Sequence, residues 1–311
     1  MSAERFFTSK FGLISSAVMA TFLWGSAFPF IKLSYSELNI VQDETGKQIL
    51  FAGYRFVFAA LLIWMFSILI KRRATVKRTE VKTLLVIGLF QTFLQYVFFY
   101  IGLAYSTGIQ GSIIAGTTTF FQMIIAHFFY KDDTLNIRKI SGLMIGFAGV
   151  IVVNLTKGSM ELSFGLGEIL LLLAMLFAGI GNVLAKEGSK RVDVITLTTN
   201  QMLFGGLGLL FVGVSFAGWM PFEVTVKGIL MFIYLSFLSA TGFVLWTFVM
   251  KYNKVSKVSM YLFLIPVFGV FLSAVLLKET LSLYVFLGLM LVVFGIVIVN
   301  IEKEKKKVLS H

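Results

Sequence analysis

The sequence predicts an all-α integral membrane protein in which ten transmembrane helices form two inverted five-helix repeats. Three observations carry that expectation: an apolar excess that no water-soluble core could absorb, ten hydrophobic runs of spanning length, and an internal repeat. Of 311 residues, 58% are hydrophobic and only 14% charged, and the mean hydropathy is +0.92. A soluble domain sits at about 45–50% apolar and about 25% charged. Composition therefore excludes a soluble enzyme, a nucleic-acid-binding domain and a disordered chain. Cysteine is absent, which removes disulfides, thiolate metal sites and cysteine catalysis together. The two histidines, His127 and His311, are too few for a histidine cage, and no metal or cofactor is expected.

Crossing a ~30 Å hydrocarbon layer takes roughly 20 apolar residues. Such runs lie near 11–31, 49–70, 83–103, 108–130, 139–156, 165–185, 195–217, 228–250, 258–277 and 282–301. Lipid offers no partner to an unpaired backbone group, so the runs must be helices. A barrel would alternate over strands of about ten residues instead. The third and fourth runs are parted only by Ala104–Thr107, and the ninth contains Pro266. The first run stands where a secretory leader would, but it carries Trp24, Gly25, Ser26 and Pro29 and lacks a small-x-small cleavage site. It is expected to be retained.

Loop cations set the orientation. The 71–82 segment holds Lys71, Arg72, Arg73, Lys77, Arg78 and Lys82, and loops 131–139, 186–191 and 251–257 hold three Lys or Arg each. Lys303, Lys305, Lys306 and Lys307 follow in the tail. With Arg5 and Lys10, one face collects 21 of the 27 basic residues. The other has Lys32, Lys47, Lys157, Lys227 and Lys278, while Arg55 lies inside a run. Both termini are thus expected in the cytoplasm, with the chain in a plasma (inner) membrane. The net charge of +12 is explained by the lipid bilayer as partner, and no nucleic acid is needed. Nothing calls for a second chain, so a monomer is the simplest expectation.

A shift of 146 residues places Thr134-Leu135 on Thr280-Leu281 and Gly142-Leu143-Met144 on Gly288-Leu289-Met290. It also places Gly149 on Gly295, Val153-Asn154 on Val299-Asn300, and Asp133 on Glu279. Eight identities in 22 positions at one shift exceed what apolar composition supplies. The expected units are a first repeat at 1–156, a second at 165–301 and a basic cytoplasmic tail at 302–311. Five spans is an odd number, so the second copy enters the membrane in the opposite sense. The charges agree, since Arg138 and Lys139 of the first copy become Tyr284 and Val285 in the second. Inverted repeats are the architecture of alternating-access transporters, with a small-molecule substrate bound between the copies.

Trp24-Gly25-Ser26-Ala27-Phe28 followed by Lys32 resembles the first-helix signature of the EamA-type branch of the drug/metabolite transporter superfamily. Arg55-Phe56, the Pro266…Lys278-Glu279-Thr280-Leu281 stretch and the Gly288…Gly295 helix are similar to the same family. The resemblance covers essentially the whole chain and implies a ten-helix transporter of small organic metabolites, often an exporter. The chain departs from the pattern at Lys131-Asp132-Asp133-Thr134, where a Gly-Glu pair is usual, and at Lys278, where Gly is common.

Polar residues inside the runs are the candidate site. Arg55 lies about six residues, ~9 Å by helical rise, from the outer end of its span. It either snorkels to the interface or serves an intramembrane function. None of the 15 Asp and Glu residues falls mid-span, so a buried Arg55 would have to take its anion from the substrate, bidentately if that is a carboxylate. At the 146 shift Arg55 meets Gln201, Gln95 meets Thr241 and Tyr100 meets Trp246. Gln91 and Gln95, four apart, share one helix face, and Thr117, Thr118, Thr119 and Gln122 lie mid-depth in the fourth span. Substrate contact and ordinary inter-helix hydrogen bonding are both open for these groups. Trp24, Tyr54, Tyr96, Tyr100, Trp246 and Tyr261 are candidates for an aromatic lining.

His127 is a candidate for proton coupling. Trp24 and the kink expected at Pro266 are candidates for gating or hinge motion. Lys32 and Lys186 follow the first span of each copy, where they snorkel or gate. Asp133 and Glu279 precede helices whose positive ends they are expected to cap. The expected function is a secondary transporter of small organic metabolites such as amino acids or related carboxylates, with export the direction the resemblance implies. No Gly-x4-Gly-Lys-Ser/Thr loop is present to couple it to ATP. An intramembrane enzyme is the alternative, but it would need an activated nucleophile or metal at depth, and no such pair is evident. A membrane scaffold is the other alternative, and it leaves the inversion unexplained.

Overall fold

The computed structural model describes residues 2–71, 75–131, 136–153 and 165–300, and the described residues form helices joined by short loops, without strands. In chain order the helices are α1 (Ala3–Thr8), α2 (Lys10–Glu37), α3 (Thr45–Leu69), α4 (Val81–Ala104), α5 (Gly108–Phe129) and α6 (Ile137–Val153). There follow α7 (Leu166–Gly188), α8 (Val194–Ala217), α9 (Val226–Tyr252), α10 (Val255–Leu276) and α11 (Leu283–Asn300). Eight of them, α2 to α5 and α7 to α10, are long and apolar enough to cross a bilayer. They match eight of the expected spans. The fifth and tenth expected runs are the shorter helices α6 and α11, of 17 and 18 residues. Arg72, Arg73, Asp132, Asp133, Lys157 and the 302–311 tail lie outside the described residues.

Several helix starts have a local cause. Ser9 starts α2 by accepting from the Gly12 N–H at 3.0 Å. Asp193 starts α8 and Thr225 starts α9 in the same way, satisfying N–H groups that a helix leaves open in its first turn. Between α4 and α5 the break is Tyr105-Ser106-Thr107, one residue shorter than expected, and Thr107 with Gln110 forms a capping box. Exposed large side chains such as Trp64, Met65, Phe211 and Phe237 cover the outside, as they must on a surface that faces lipid.

Packing is mainly between the first and second halves of the chain. The most extensive pairings are α3 with α8, α6 with α11, α2 with α9 and α10, and α7 with α4 and α5; α5 also packs on α10. At the α3–α8 crossing a Cβ on Gly53 would come 2.6 Å from the Leu210 nitrogen, and one on Gly213 would come 2.5 Å from Leu50 Cα. Small residues therefore bring these two backbones into contact, which is how membrane helices gain dispersion energy without a hydrophobic drive between them.

Three helices lose regular winding near mid-length. α4 widens into a π segment at Leu89–Leu94. α5 has a turn at Gly116-Thr117, and α10 tightens to a 3₁₀ turn at Met260–Phe263. Pro266 explains the last, because it has no N–H to offer the Leu262 carbonyl four residues earlier.

Candidate functional site

A cavity of about 60 Å³ lies where α2, α3, α4, α5, α7, α9 and α10 meet. Trp24, Ala27 and Phe28 come from α2, and Gln95, Tyr96 and Phe99 from α4. Ala115 and Thr118 flank the turn in α5; Leu262, within the 3₁₀ turn, and Ile265, next to Pro266, come from α10. Met175, Ala178 and Asn182 of α7 and Phe243 of α9 close the wall. The irregular winding of the three helices therefore coincides with the cavity.

Arg55 of α3 is the one charged residue on this wall, and it is 1% exposed. Full burial overturns the snorkelling alternative. Its Nε donates to the Leu235 carbonyl (3.0 Å) and its Nη1 to the Tyr100 hydroxyl (2.6 Å). Tyr100 is fixed in turn by the Tyr35 hydroxyl, which donates to its carbonyl (3.0 Å). The guanidinium also lies 5.1 Å from the Phe56 ring centre, 5.9 Å from Tyr100 and 6.0 Å from Tyr96, a desolvated cation–π cage. Among the described residues Arg55 has no carboxylate partner, and Nη2 has no protein acceptor. A buried cation without a counter-charge is costly.

Two more polar groups on the wall are unsatisfied. The Gln95 Oε1 and the Trp24 indole Nε1 are buried without a hydrogen-bond partner. Apart from Thr118 and Asn182, the rest of the wall is apolar and largely aromatic. Trp24 meets Phe243 edge-on at 5.3 Å, Phe28 meets Phe99 at 5.4 Å, and Tyr96 meets Phe99 at 5.7 Å. The site thus offers a fixed cation, an indole donor and an amide acceptor within an apolar shell.

From Asn182 on the wall a chain of amides runs outward to both sides. Gln91 Nε2 donates to Asn182 Oδ1 (2.9 Å), Asn182 Nδ2 to Gln122 Oε1 (2.8 Å), and Gln122 Nε2 to Ser259 Oγ (2.6 Å). These bonds tie α4, α7, α5 and α10 together. Gly181 permits them, since a Cβ there would lie 2.6 Å from that of Gln91.

Of the expected site and lining residues, Arg55, Gln95, Thr118, Trp24 and Tyr96 are on the wall. Tyr100 supports Arg55 from behind, and Gln91 and Gln122 belong to the amide chain. Gln91 lies in the π segment and bonds Asn182, which lines the cavity together with Gln95. Gln201 is one layer back, accepting from the Thr92 hydroxyl at 2.6 Å. Trp246 packs behind Trp24 at 5.7 Å, and Pro266 is off the wall, next to the lining residue Ile265.

Thr241 is half-buried and off the wall. The wall pairs Tyr96 with Phe243, Ala115 with Leu262 and Thr118 with Ile265, each 147 apart, so the 146 shift is one residue out here. One residue turns a helix by about 100°, enough to remove Thr241 from the wall. His127 is nine residues beyond Thr118, ~14 Å along α5 by helical rise, and does not reach the cavity. Tyr54 and Tyr261 are also off the wall, with the Tyr54 hydroxyl donating to the Trp219 carbonyl.

Asn182, Met175 and Phe243 were not picked out from the sequence. A 154 shift pairing Phe28 with Asn182 would have marked the first of them.

Three end-of-helix readings also change. Lys32 and Lys186 are half-buried and bond to backbone carbonyls rather than reaching for water. Glu279 caps α5 instead of the helix that follows it, accepting from the Gly108 and Ile109 N–H groups at 2.7 and 2.8 Å.

The sequence profile of the EamA-like transporter family matches twice, over residues 12–155 and 165–301. The chain belongs to the EamA-like transporter family. Among its relatives, YoaV of Bacillus subtilis, an uncharacterized transporter, is 24% identical over 294 residues, covering 94% of this chain and 97% of that one. YvbV of the same organism, also an uncharacterized transporter, is 28% identical over 306 residues, covering 94% and 93%. An uncharacterized transporter of Archaeoglobus fulgidus is 28% identical over 284 residues, covering 91% and 96%. A solved crystal structure is similar in fold, with a TM-score of 0.70 at 15% identity, covering 94% of this chain and 98% of that one. The EamA-like chain is therefore a multi-pass membrane protein and a membrane transporter.

Proposed function

We propose that this EamA-like protein is a secondary transporter that exports small organic carboxylates, amino acids among them, across the plasma membrane by alternating access. Ten spans in two inverted five-helix units, with both termini cytoplasmic, make up the proposed architecture. The observation that carries the substrate class is Arg55: a buried guanidinium on the cavity wall, with donors to spare and no carboxylate partner among the described residues. A carboxylate arriving with the solute completes its coordination, and a guanidinium fork suits two carboxylate oxygens. The unpartnered Gln95 oxygen suits an ammonium or other donor on the same solute, and the aromatic shell suits an apolar remainder.

The pairing of helices supports the two-unit reading, because exchanging the halves maps each major contact onto itself or onto another: α3 on α8, α6 on α11 and α5 on α10 are unchanged, α2 on α10 becomes α7 on α5, and α2 on α9 becomes α7 on α4. Helices interrupted beside the cavity are what transporters of this architecture use to build a central site. The uneven cation distribution supports cytoplasmic termini.

The test is flux in proteoliposomes loaded with amino acids, organic acids or cationic drugs. Saturable movement of unmodified carboxylate solutes, abolished by Arg55→Ala in protein that still folds and inserts, is expected. Movement of cations only, or a chemically altered product, overturns the reading.

A further inference from the structure

Two lysines outside the cavity share one geometry. Lys32 of α2 donates through Nζ to the Leu103 carbonyl (3.2 Å) and the Ser106 carbonyl (2.7 Å), at the end of α4. Lys186 of α7 donates to the Met250 carbonyl (2.6 Å) and the Asn253 carbonyl (2.5 Å), at the end of α9. Each ammonium sits on the negative pole of a helix, on two carbonyls three residues apart. The carbonyl pairs are 147 residues apart, as the α4–α9 and α5–α10 wall residues are; the lysines are 154 apart, as Trp24–Ala178 and Phe28–Asn182 are.

The lysines also continue the wall. Trp24, Phe28 and Lys32 follow at intervals of four along α2, and Ala178, Asn182 and Lys186 do so along α7; the first two of each set line the cavity. Each ammonium therefore stands one helical turn beyond the wall, on the same helix stripe. The two stand at opposite ends of the bundle. Ser106, in the Lys32 contact, also bonds Glu168 near the start of α7, whereas Lys186 lies 18 residues further along that helix, ~27 Å by helical rise.

We propose that Lys32 and Lys186 are the gate latches of the central cavity, each closing one end by tying the first helix of its half to the last carbonyls of the third. This rests on the alternating-access reading. Both latches are engaged here, in keeping with a cavity of only about 60 Å³. Opening one end requires one ammonium to leave its two carbonyls, while the other stays in place to keep the far end shut.

The chain has no cysteine, so a single reporter reads access directly. In the full-length protein carrying Ala27→Cys on the wall, the labelling rate by a charged, impermeant thiol reagent is measured from each face of membrane vesicles of known sidedness. Lys32→Met is expected to raise the rate tenfold or more from the face at its own end, leaving the opposite face unchanged. Lys186→Met is expected to do the same from the opposite face alone.

Unchanged rates in folded protein, or rates that rise from both faces together, overturn the proposal; the latter would make the lysines helix caps whose loss loosens the bundle. Should a methionine variant fail to insert, Lys32→Gln and Lys186→Gln carry the test with the same expected asymmetry, because they keep a neutral N–H donor. Labelling reads access rather than flux. A failed latch is therefore distinguishable from a failed transport reading, in which no tested solute moves through the native protein.

Discussion

Replacing Arg55 by lysine keeps the positive charge and removes the fork. In the native site Nε is occupied by the Leu235 carbonyl and one Nη1 hydrogen by the Tyr100 hydroxyl, which leaves Nη2 and the second Nη1 hydrogen for a ligand. A carboxylate taking both would hold two charge-assisted bonds. A lysine ammonium has three hydrogens, and if two of them replace the bonds to Leu235 and Tyr100, one is left. The variant thus loses one charge-assisted bond to the solute, about 1.5–3 kcal/mol. At 1.4 kcal/mol per factor of ten, kcat/KM for a carboxylate falls roughly 10- to 150-fold. The assay is the initial rate of uptake into proteoliposomes for a carboxylate solute and for its neutral amide, each with native and variant protein. The amide never had the second anionic oxygen, so its rate is expected to change little, and the preference for carboxylate collapses by the factor above. If both solutes slow equally, Arg55 only holds α3 against α4 and α9. If the ratio does not move, the anion site is elsewhere.

Asn182→Leu leaves the Gln91 amide hydrogen and the Gln122 oxygen without partners. Inter-helix hydrogen bonds in membranes average about 0.6 and reach about 1.7 kcal/mol each, so unfolding in mixed micelles should shift by about 1–3 kcal/mol; no shift would mean the amide chain does not hold the four helices. Gly213→Leu drives a side chain against Leu50 Cα, 2.5 Å from the new Cβ, and no rotamer relieves a backbone clash. Loss of the monodisperse peak on size-exclusion chromatography is expected, and a native elution profile would show that the α3–α8 crossing can open. Outside the spans, the Lys47 ammonium at 2.5 Å, helped by the Val41 N–H, holds the Glu44 carboxyl below its ordinary value of 4.5. Because the folded value is lowered, this contact stabilises the α2–α3 loop above the unfolded carboxylate value and is lost as pH falls through the folded one. A carbon-detected titration should place Glu44 below 4.5 and return it upward in Lys47→Ala.

Much of the architecture was legible because bilayer physics acts on local sequence. A span must be apolar over its own length and must satisfy its own backbone, so eight of the expected runs appear as helices within a few residues of their anticipated ends. The π segment in α4 was not legible, since Leu89–Leu94 carries no breaker and its winding follows from packing against α7 and α8. Within and beside that segment Gln91 joins the amide chain through Asn182, and Gln95 lines the cavity.

Arg55 illustrates the division most clearly. Composition shows a lone cation in an apolar run with no mid-span acid, and so poses the question of its partner. Whether it reached for water or faced inward depended on α4 and α9, whose Tyr100 hydroxyl and Leu235 carbonyl hold it from 45 and 180 residues away. The same holds for Lys32 and Lys186, whose acceptors are backbone atoms and leave no mark on side-chain pattern. Hydrophobic length is a property of one segment and can be read along the chain. The direction a polar group takes inside a bundle is a property of its neighbours, and it exists only once distant helices have packed.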